Sequence, residues 1–334
     1  MADQTSTVRP ETINSLRDSV DSALAMLAGM ELDVFTPMKD GAMTLEQIAD
    51  AIEVKPLKLR PLLYAIAVAG LLNLNGDQFS NTPEADLFLV KGAPAYMGGM
   101  HETLSDNWQV AFNTAESIRT GIPQARLDFS EGTEEELEKF LRRIQPMAMD
   151  AGRLLADRWD FASSSTMADI GGGSGGIAIA VTEKYPHLKA TVLDLPTITP
   201  IARRIVEDAG ASDRVEVEAA DVLSGPLTGP YDVVVLRALI QVLSPEDAAT
   251  ALKNILGAVK PGGTIHIIGR ILDNTRLSPM ASVTFSMMVV NRFDAGQAYT
   301  EDEYAGWMAD AGFEGFERVH LSGLDDMITA RRPL

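Results

Sequence analysis

The run Ala168-Asp169-Ile170-Gly171-Gly172-Gly173-Ser174-Gly175-Gly176 constrains this chain more than any other segment, because five glycines in six positions leave the backbone bare. An apolar segment enters it and Ile177-Ala178-Ile179-Ala180-Val181 leaves it, the pattern of a strand turning into a helix. Such a turn points unpaired N–H groups at a helix start and lets a ligand lie against main chain. The spacing satisfies G-x-G-x-x-G, which by itself does not separate a dinucleotide fold from an S-adenosylmethionine (SAM) fold.

Downstream, short apolar runs alternate with amphipathic ones. The spacing predicts helices over 177–184, 200–209 and 245–258, and strands over 190–193, 215–219, 231–236 and 264–268. That alternation specifies a parallel sheet covered on both faces. The crossover between Ala219 and Tyr231 is too short for a long helix, and the end of the chain, from Tyr304, reads as a helix and then two strands.

Upstream the chain is helical. Ile13, Leu16, Val20, Leu24 and Leu27 recur at helical spacing, and Ala23, Ala25, Ala28 and Gly29 keep part of that helix small-sided, which suits either a dimer interface or packing within its own domain. Thr44-Leu45-Glu46-Gln47 is a capping box. Pro56 and Pro61 introduce a further helix, and a small hairpin turns at Asn75-Gly76-Asp77, so helix, turn, helix and hairpin make a winged helix. Helices are expected next over 95–126 and 137–159, and a Ser163-Ser164-Ser165 joint leads into the glycine run. The expected boundary lies near residues 155–165, separating a helical winged-helix domain over 1–160 from an α/β domain over 161–334.

The winged helix admits a DNA-binding regulator as a rival, but Lys55, Lys58 and Arg60 are a small basic cluster in a chain of net charge −19, and phosphates would be repelled. Neither nucleic acid nor an anionic membrane is expected as a partner. The absence of cysteine excludes disulfides and thiolate chemistry, and His101, His187, His266 and His320 form no metal-ligand spacing, so no metal is expected. No apolar run reaches the length of a membrane span, and a cytoplasmic enzyme is expected.

In an open parallel sheet the ligand lies beyond the carboxyl ends of the strands. The second strand ends in Leu193-Asp194-Leu195-Pro196, an acid placed for ribose hydroxyls, and the third in Ala220-Asp221-Val222, an acid and an apolar side chain suited to an adenine. Together with Asp169-Ile-Gly-Gly-Gly-Ser-Gly, Lys260-Pro-Gly-Gly and Gly296-Gln-Ala-Tyr-Thr300, these motifs resemble the class I SAM-dependent methyltransferases, and within them the caffeate-type and hydroxyindole O-methyltransferases and their bacterial relatives. The resemblance implies a Rossmann-like SAM domain behind an N-terminal helical winged-helix dimerisation domain, and a homodimer. It implies that Gly171 and Gly173 contact the methionine part of SAM, Asp194 the ribose, and Asp221 with Val222 the adenine. Arg237 stands where the family places a basic residue near the methionine carboxylate.

O-methylation removes a proton from a hydroxyl, and the family does so with a histidine after the fourth strand, oriented by acids. Here that place is taken by Gln241, the one residue assigned to the catalytic position, and the supporting glutamates fall on Gly269 and Ala298. An amide is no base near neutral pH. His266 reads as a core histidine.

The favoured expectation is therefore an acceptor with no proton to lose: a thioether sulfur attacking the methyl directly, as in the relatives that convert 4-methylthio-2-hydroxybutyrate to its sulfonium on the route to dimethylsulfoniopropionate. Tyr96, Trp108, Met147, Met149, Met287, Met288 and Phe293 suit a soft acceptor and a cationic product, and Arg270 or Arg292 would hold an acceptor carboxylate. The alternatives are an O-methyltransferase with an unconventional base such as Asp150 or His101, a SAM-binding enzyme that assists a rearrangement without methylating, and the winged-helix regulator.

Overall fold

The computed structural model describes residues 8–322 and 325–334, and the chain divides into two compact units, Met1–Gln109 and Val110–Leu334. The first holds α1 (Glu11–Glu31), β1 (Met43–Thr44), α2 (Leu45–Ala51), α3 (Pro56–Val68), β2 (Leu72–Asn75), β3 (Gln78–Asn81) and α4 (Pro83–Phe88). The capping box forms as its spacing predicts: Thr44 N–H donates to Gln47 Oε1 at 2.8 Å and Gln47 N–H to Thr44 Oγ1 at 3.4 Å. The hairpin β2–β3 closes over Gly76-Asp77, and β1 adds to β3, completing the wing. Phe35, Ile48, Leu63 and Ile66 are fully buried between these elements. Ile13, Leu16, Val20 and Leu24 of α1 stay exposed as one stripe.

The boundary between the units falls inside α5 (His101–Ala111), far upstream of the expected 155–165. The helical stretch expected over 95–126 breaks after α5, and α6 (Thr114–Thr120) comes next. The earlier division comes from packing. The long helix α7 (Glu134–Arg158), started by a second capping box at Thr133 and Glu136, presses Leu155 and Ala156 into the core that holds Ile177, Ala178 and Val181. A serine-rich joint signals a break in sequence, but α7 buries its apolar face against the helix on the far side of that joint.

The second unit carries β4 (Thr166–Ile170), α8 (Gly176–Lys184), β5 (Lys189–Asp194), α9 (Thr199–Asp208), β6 (Val215–Ala219), β7 (Tyr231–Arg237), α10 (Pro245–Ala258), β8 (Val259–Gly269) and β9 (Ile271–Leu272). It closes with α11 (Met280–Arg292), β10 (Tyr299–Thr300), α12 (Glu301–Ala311), β11 (Glu314–Ser322) and β12 (Asp325–Arg331). The seven-stranded sheet runs β11-β12-β8-β7-β4-β5-β6; β4 to β8 are mutually parallel, and the terminal hairpin is antiparallel. Strand order reverses between β4 and β7, so β4 and β7 frame the switch point where such sheets bind ligands. Two apolar layers flank the sheet, one built with α10 and α12, the other with α7 and α8. Among the described residues, no helix is long and apolar enough to cross a membrane.

Candidate active site

The glycine run leaves β4 and enters α8 through three left-handed residues, Gly171, Gly173 and Gly175, with φ of 63°, 56° and 72°. A Cβ is strained at such angles, which is why the turn needs glycine. Gly171 N–H donates to the Leu193 carbonyl at 2.7 Å, and Gly173 N–H to Asp194 Oδ2 at 2.7 Å. The other oxygen of Asp194 accepts the Leu195 N–H at 2.7 Å. The end of β5 is thereby tied to the loop after β4, and bare backbone and a carboxylate share one edge. Burial raises the Asp194 pKa, against the two N–H donors that favour its charged form.

Asp221 lies just beyond β6, where its Oδ1 accepts the Leu223 N–H at 2.9 Å and its Oδ2 the Ser224 hydroxyl. Val222 is half-buried against the α10 side of the core, and its carbonyl accepts Asn254 Nδ2 at 2.8 Å. The structure thus places Gly171, Gly173, Asp194, Asp221 and Val222 at the carboxyl ends of three successive strands of the order β4-β5-β6.

The sequence motifs assign no role to Asp169. It is 1% exposed, takes the Ala178 N–H on Oδ2 at 3.2 Å, and has no partner for Oδ1 among the described residues. Burial, reinforced by nearby Asp194, pushes it up to about 7, against the pull of the Ala178 N–H and of Arg237. One signal for it exists in the sequence: a carboxylate inside an otherwise apolar strand is costly unless it has a task.

Arg237 ends β7 and Arg270 stands just beyond β8, and both reach Asp325 at the start of β12. Arg237 Nη2 lies 3.4 Å from Asp325 Oδ2 and Arg270 Nε 3.3 Å from Oδ1. No local pattern marks Asp325, because its partners come from strands more than fifty residues away.

Gln241 is 1% exposed, and its Nε2 donates to the Arg270 carbonyl at 3.1 Å. A Cβ on Gly269 would overlap the Gln241 amide. The glycine and the glutamine are therefore a packed pair: the amide fills the space above the glycine and donates to the carbonyl that links β8 to β9. Ala298 is fully buried, its N–H donating to Ser286 Oγ at 3.1 Å. His266 is fully buried edge-on to Trp159, and burial lowers its pKa to about 3, so it stays neutral in the core as expected.

The residues expected to line an acceptor pocket are only partly brought together. Met147 of α7 is 48% exposed, whereas Met149 packs into the α7–α8 core. Asp150 is exposed and paired with Arg153 at 2.9 Å. Met287 and Met288 lie on α11, Met287 exposed and Met288 half-buried, and Arg292 ends that helix. Phe293 stacks on Phe129 at 6.1 Å, which in turn meets Phe140 of α7 at 5.6 Å. Tyr96, His101 and Trp108 belong to the first unit, where the Tyr96 ring covers Gly98 and His101 Nδ1 meets the Gly98 carbonyl at 3.0 Å.

The sequence profile of the O-methyltransferase domain matches residues 104–314, and that of the O-methyltransferase dimerisation domain matches residues 18–91. The tetracenomycin polyketide synthesis 8-O-methyl transferase TcmO of Streptomyces glaucescens is 28% identical over 97% of either chain. The 3-hydroxy-5-methyl-1-naphthoate 3-O-methyltransferase of Streptomyces sahachiroi is 27% identical over 94% of this chain and 92% of its own. The human N-acetylserotonin methyltransferase, solved in complex with SAM, shares the fold with a TM-score of 0.78 at 22% identity, covering 99% of each chain. With its sheet order, its glycine turn and a domain match spanning most of its length, the chain belongs to the O-methyltransferase domain family.

Proposed function

We propose that the protein transfers the methyl group of SAM to a hydroxyl oxygen of a small acceptor, and that the acceptor is acidic enough to ionise without a histidine. The observation that carries the SAM reading is the 2.7 Å bond from Gly173 N–H to Asp194, which sets a carboxylate beside uncovered backbone at the switch point. Gly171 and Gly173 suit the methionine part, Asp194 the ribose, Asp221 and Val222 the adenine, and Arg237 the methionine carboxylate. When bound, SAM supplies an electrophilic methyl on a sulfonium. The protein's own task is then to hold the acceptor oxygen in line and keep water out, which lowers the barrier through orientation.

Oxygen as the accepting atom is supported by the matched domain and by the names of TcmO and the naphthoate enzyme. The ionised acceptor is inferred from Gln241, whose amide is spent on the Arg270 carbonyl and cannot take a proton. A phenol conjugated to a carbonyl loses its proton near neutral pH and fits both facts.

The same burial of Gln241 favours one second reading, the thioether acceptor expected from the sequence, including a 4-methylthio-2-hydroxybutyrate-like acid; neither TcmO nor the naphthoate enzyme is a sulfur methyltransferase by its name. One experiment separates them. Mass spectrometry of reactions with SAM and matched phenols and thioethers is expected to show one methyl added to a phenol, with a rate that rises with pH along the phenol's own ionisation. Methylation of the thioethers alone, at a rate flat from about pH 6 to 8.5, would reverse the assignment. The dimerisation-domain match and the exposed α1 stripe support a homodimer.

A further inference from the structure

We propose that the cleft at the amino-terminal end of the large sheet, opposite the glycine turn, binds an uncharged arene of one or two rings that carries carbonyl or ether oxygens. The inference rests on the methyltransferase reading only for the source of such a ligand: the ether formed from a carbonyl-conjugated phenol has this chemistry, and the ionised phenol does not.

The cleft encloses about 330 Å³, at the lower end of ordinary small-molecule pockets. It lies where β4, β7 and β8 begin: Ser163 and Ser164 precede β4, Asp232 stands at the start of β7, and Lys260 and Thr264 belong to the first half of β8. Gly171, Arg237 and Gly269 stand at the other ends of these strands. The cleft is therefore separated from the candidate active site by the length of a strand, roughly 16 Å for the five residues of β4.

One wall is aromatic. Trp159 is half-buried, its ring 4.8 Å from His266 and steeply inclined to it, with Phe161 beside the same histidine. A flat ring laid on the open part of the indole gains apolar burial and ring contact together. The polar groups are mostly donors. The Trp159 indole N–H and the hydroxyls of Ser163 and Ser164 have no partner among the described residues. Lys260 Nζ spends one hydrogen on Asp232 Oδ1 at 2.7 Å and another on Thr166 Oγ1 at 3.3 Å, which leaves its third. Asp232 offers little in exchange, because its Oδ2 already takes the N–H groups of Ser165 and Thr166, both at 2.9 Å, and the Thr166 hydroxyl at 3.0 Å. Burial raises Asp232, but Lys260 and these donors outweigh it and bring it down to about 2, so it stays charged.

Charge narrows the ligand further. The charged residues lining the cleft are Asp160, Asp232 and Lys260, two acids and one base, so an anion such as a phenolate or a carboxylate is repelled. Asp160 is exposed and already accepts the Ala162 N–H at 2.9 Å, so a cation beside it competes with water for little gain. An uncharged molecule with oxygen acceptors and a flat apolar face meets every group present.

Calorimetry of the full chain with saturating S-adenosylhomocysteine is the test, with 4-methoxyacetophenone as the probe. The active site contributes its own binding event, so the event that counts is the one abolished by Ser164→Leu, which fills the cleft and alters no residue around the glycine turn. Trp159→Phe, which keeps a ring and removes the donor, is expected to weaken that event by roughly two- to tenfold. The anion 4-methoxybenzoate should bind about tenfold more weakly than the ketone, and should recover severalfold in Asp160→Asn while the ketone moves by less than about twofold. The probe 4-methylacetophenone, which lacks the ether oxygen, identifies the source: a loss of about fivefold assigns the cleft to the methylated product, and equal binding assigns it to aryl ketones in general. An event that survives Ser164→Leu, or Ser163→Leu where the first variant does not fold, overturns the cleft, as does a carboxylate bound as tightly as the ketone. A protein that binds the ketone there but transfers no methyl to a phenol keeps the cleft and overturns the methyltransferase reading; methyl transfer without such an event does the reverse.

Discussion

The Gly173 N–H and the Asp194 carboxylate meet at 2.7 Å, so the loop after β4 and the end of β5 are one unit and not two neighbouring loops. Asp194→Asn is expected to weaken S-adenosylhomocysteine by roughly 10–100-fold while leaving the fold intact, since a hydrogen bond to a charged group is worth about 1.5–3 kcal/mol. Calorimetry measures this directly, and an unchanged Kd would remove Asp194 from the site.

Gly173→Ala tests the backbone half of the same unit. At φ 56° a side chain is strained by about 1–2 kcal/mol, and a Cβ there would also stand 3.1 Å from Leu141 Cδ2. Both the melting temperature and nucleoside affinity should fall; full retention of both would mean that the turn tolerates side chains and that its glycines serve no ligand.

Gln241→Ala should lower stability by roughly 1–3 kcal/mol, because it empties the space above Gly269 and leaves the part-buried Arg270 carbonyl without its donor. Denaturant titration gives the number. A variant of wild-type stability that has lost turnover would instead make the amide part of the chemistry.

Asp169 predicts a pH signature. Its pKa is about 7 in the folded chain against 3.8 when free, so between these values the folded state binds the proton more tightly than the unfolded one. The stability this gives is complete below pH 3.8 and is lost as pH rises toward 7. Relative to Asp169→Asn, the wild type should therefore lose stability on going from acid to neutral pH. Parallel denaturation curves for the two proteins across that range would show that Asp169 is not buried in solution.

Leu16→Glu with Val20→Glu places charge in the exposed stripe of α1, where Leu16 and Val20 are 65% and 53% exposed. If that stripe is the dimer seam, light scattering should show a monomer at concentrations where the wild type is a dimer. A variant that remains dimeric moves the interface elsewhere.

The sequence by itself determined the local features. The capping box at Thr44, the glycine run and the short apolar runs place most strands and helices within a few residues, because each depends on hydrogen bonds and burial within one short segment. The acids at the end of β5 and just beyond β6 were legible for the same reason, since a strand's end is visible in its own residues. Tertiary structure alone decided how distant segments act on one another. It moved the domain boundary upstream to residue 109, because α7 buries its face on α8. It turned Gln241 into the packing partner of Gly269 and gave Arg237 and Arg270 a shared carboxylate in Asp325. Those relations depend on which strands become neighbours in the sheet, and that order is set by burial over the whole domain, not by any one segment.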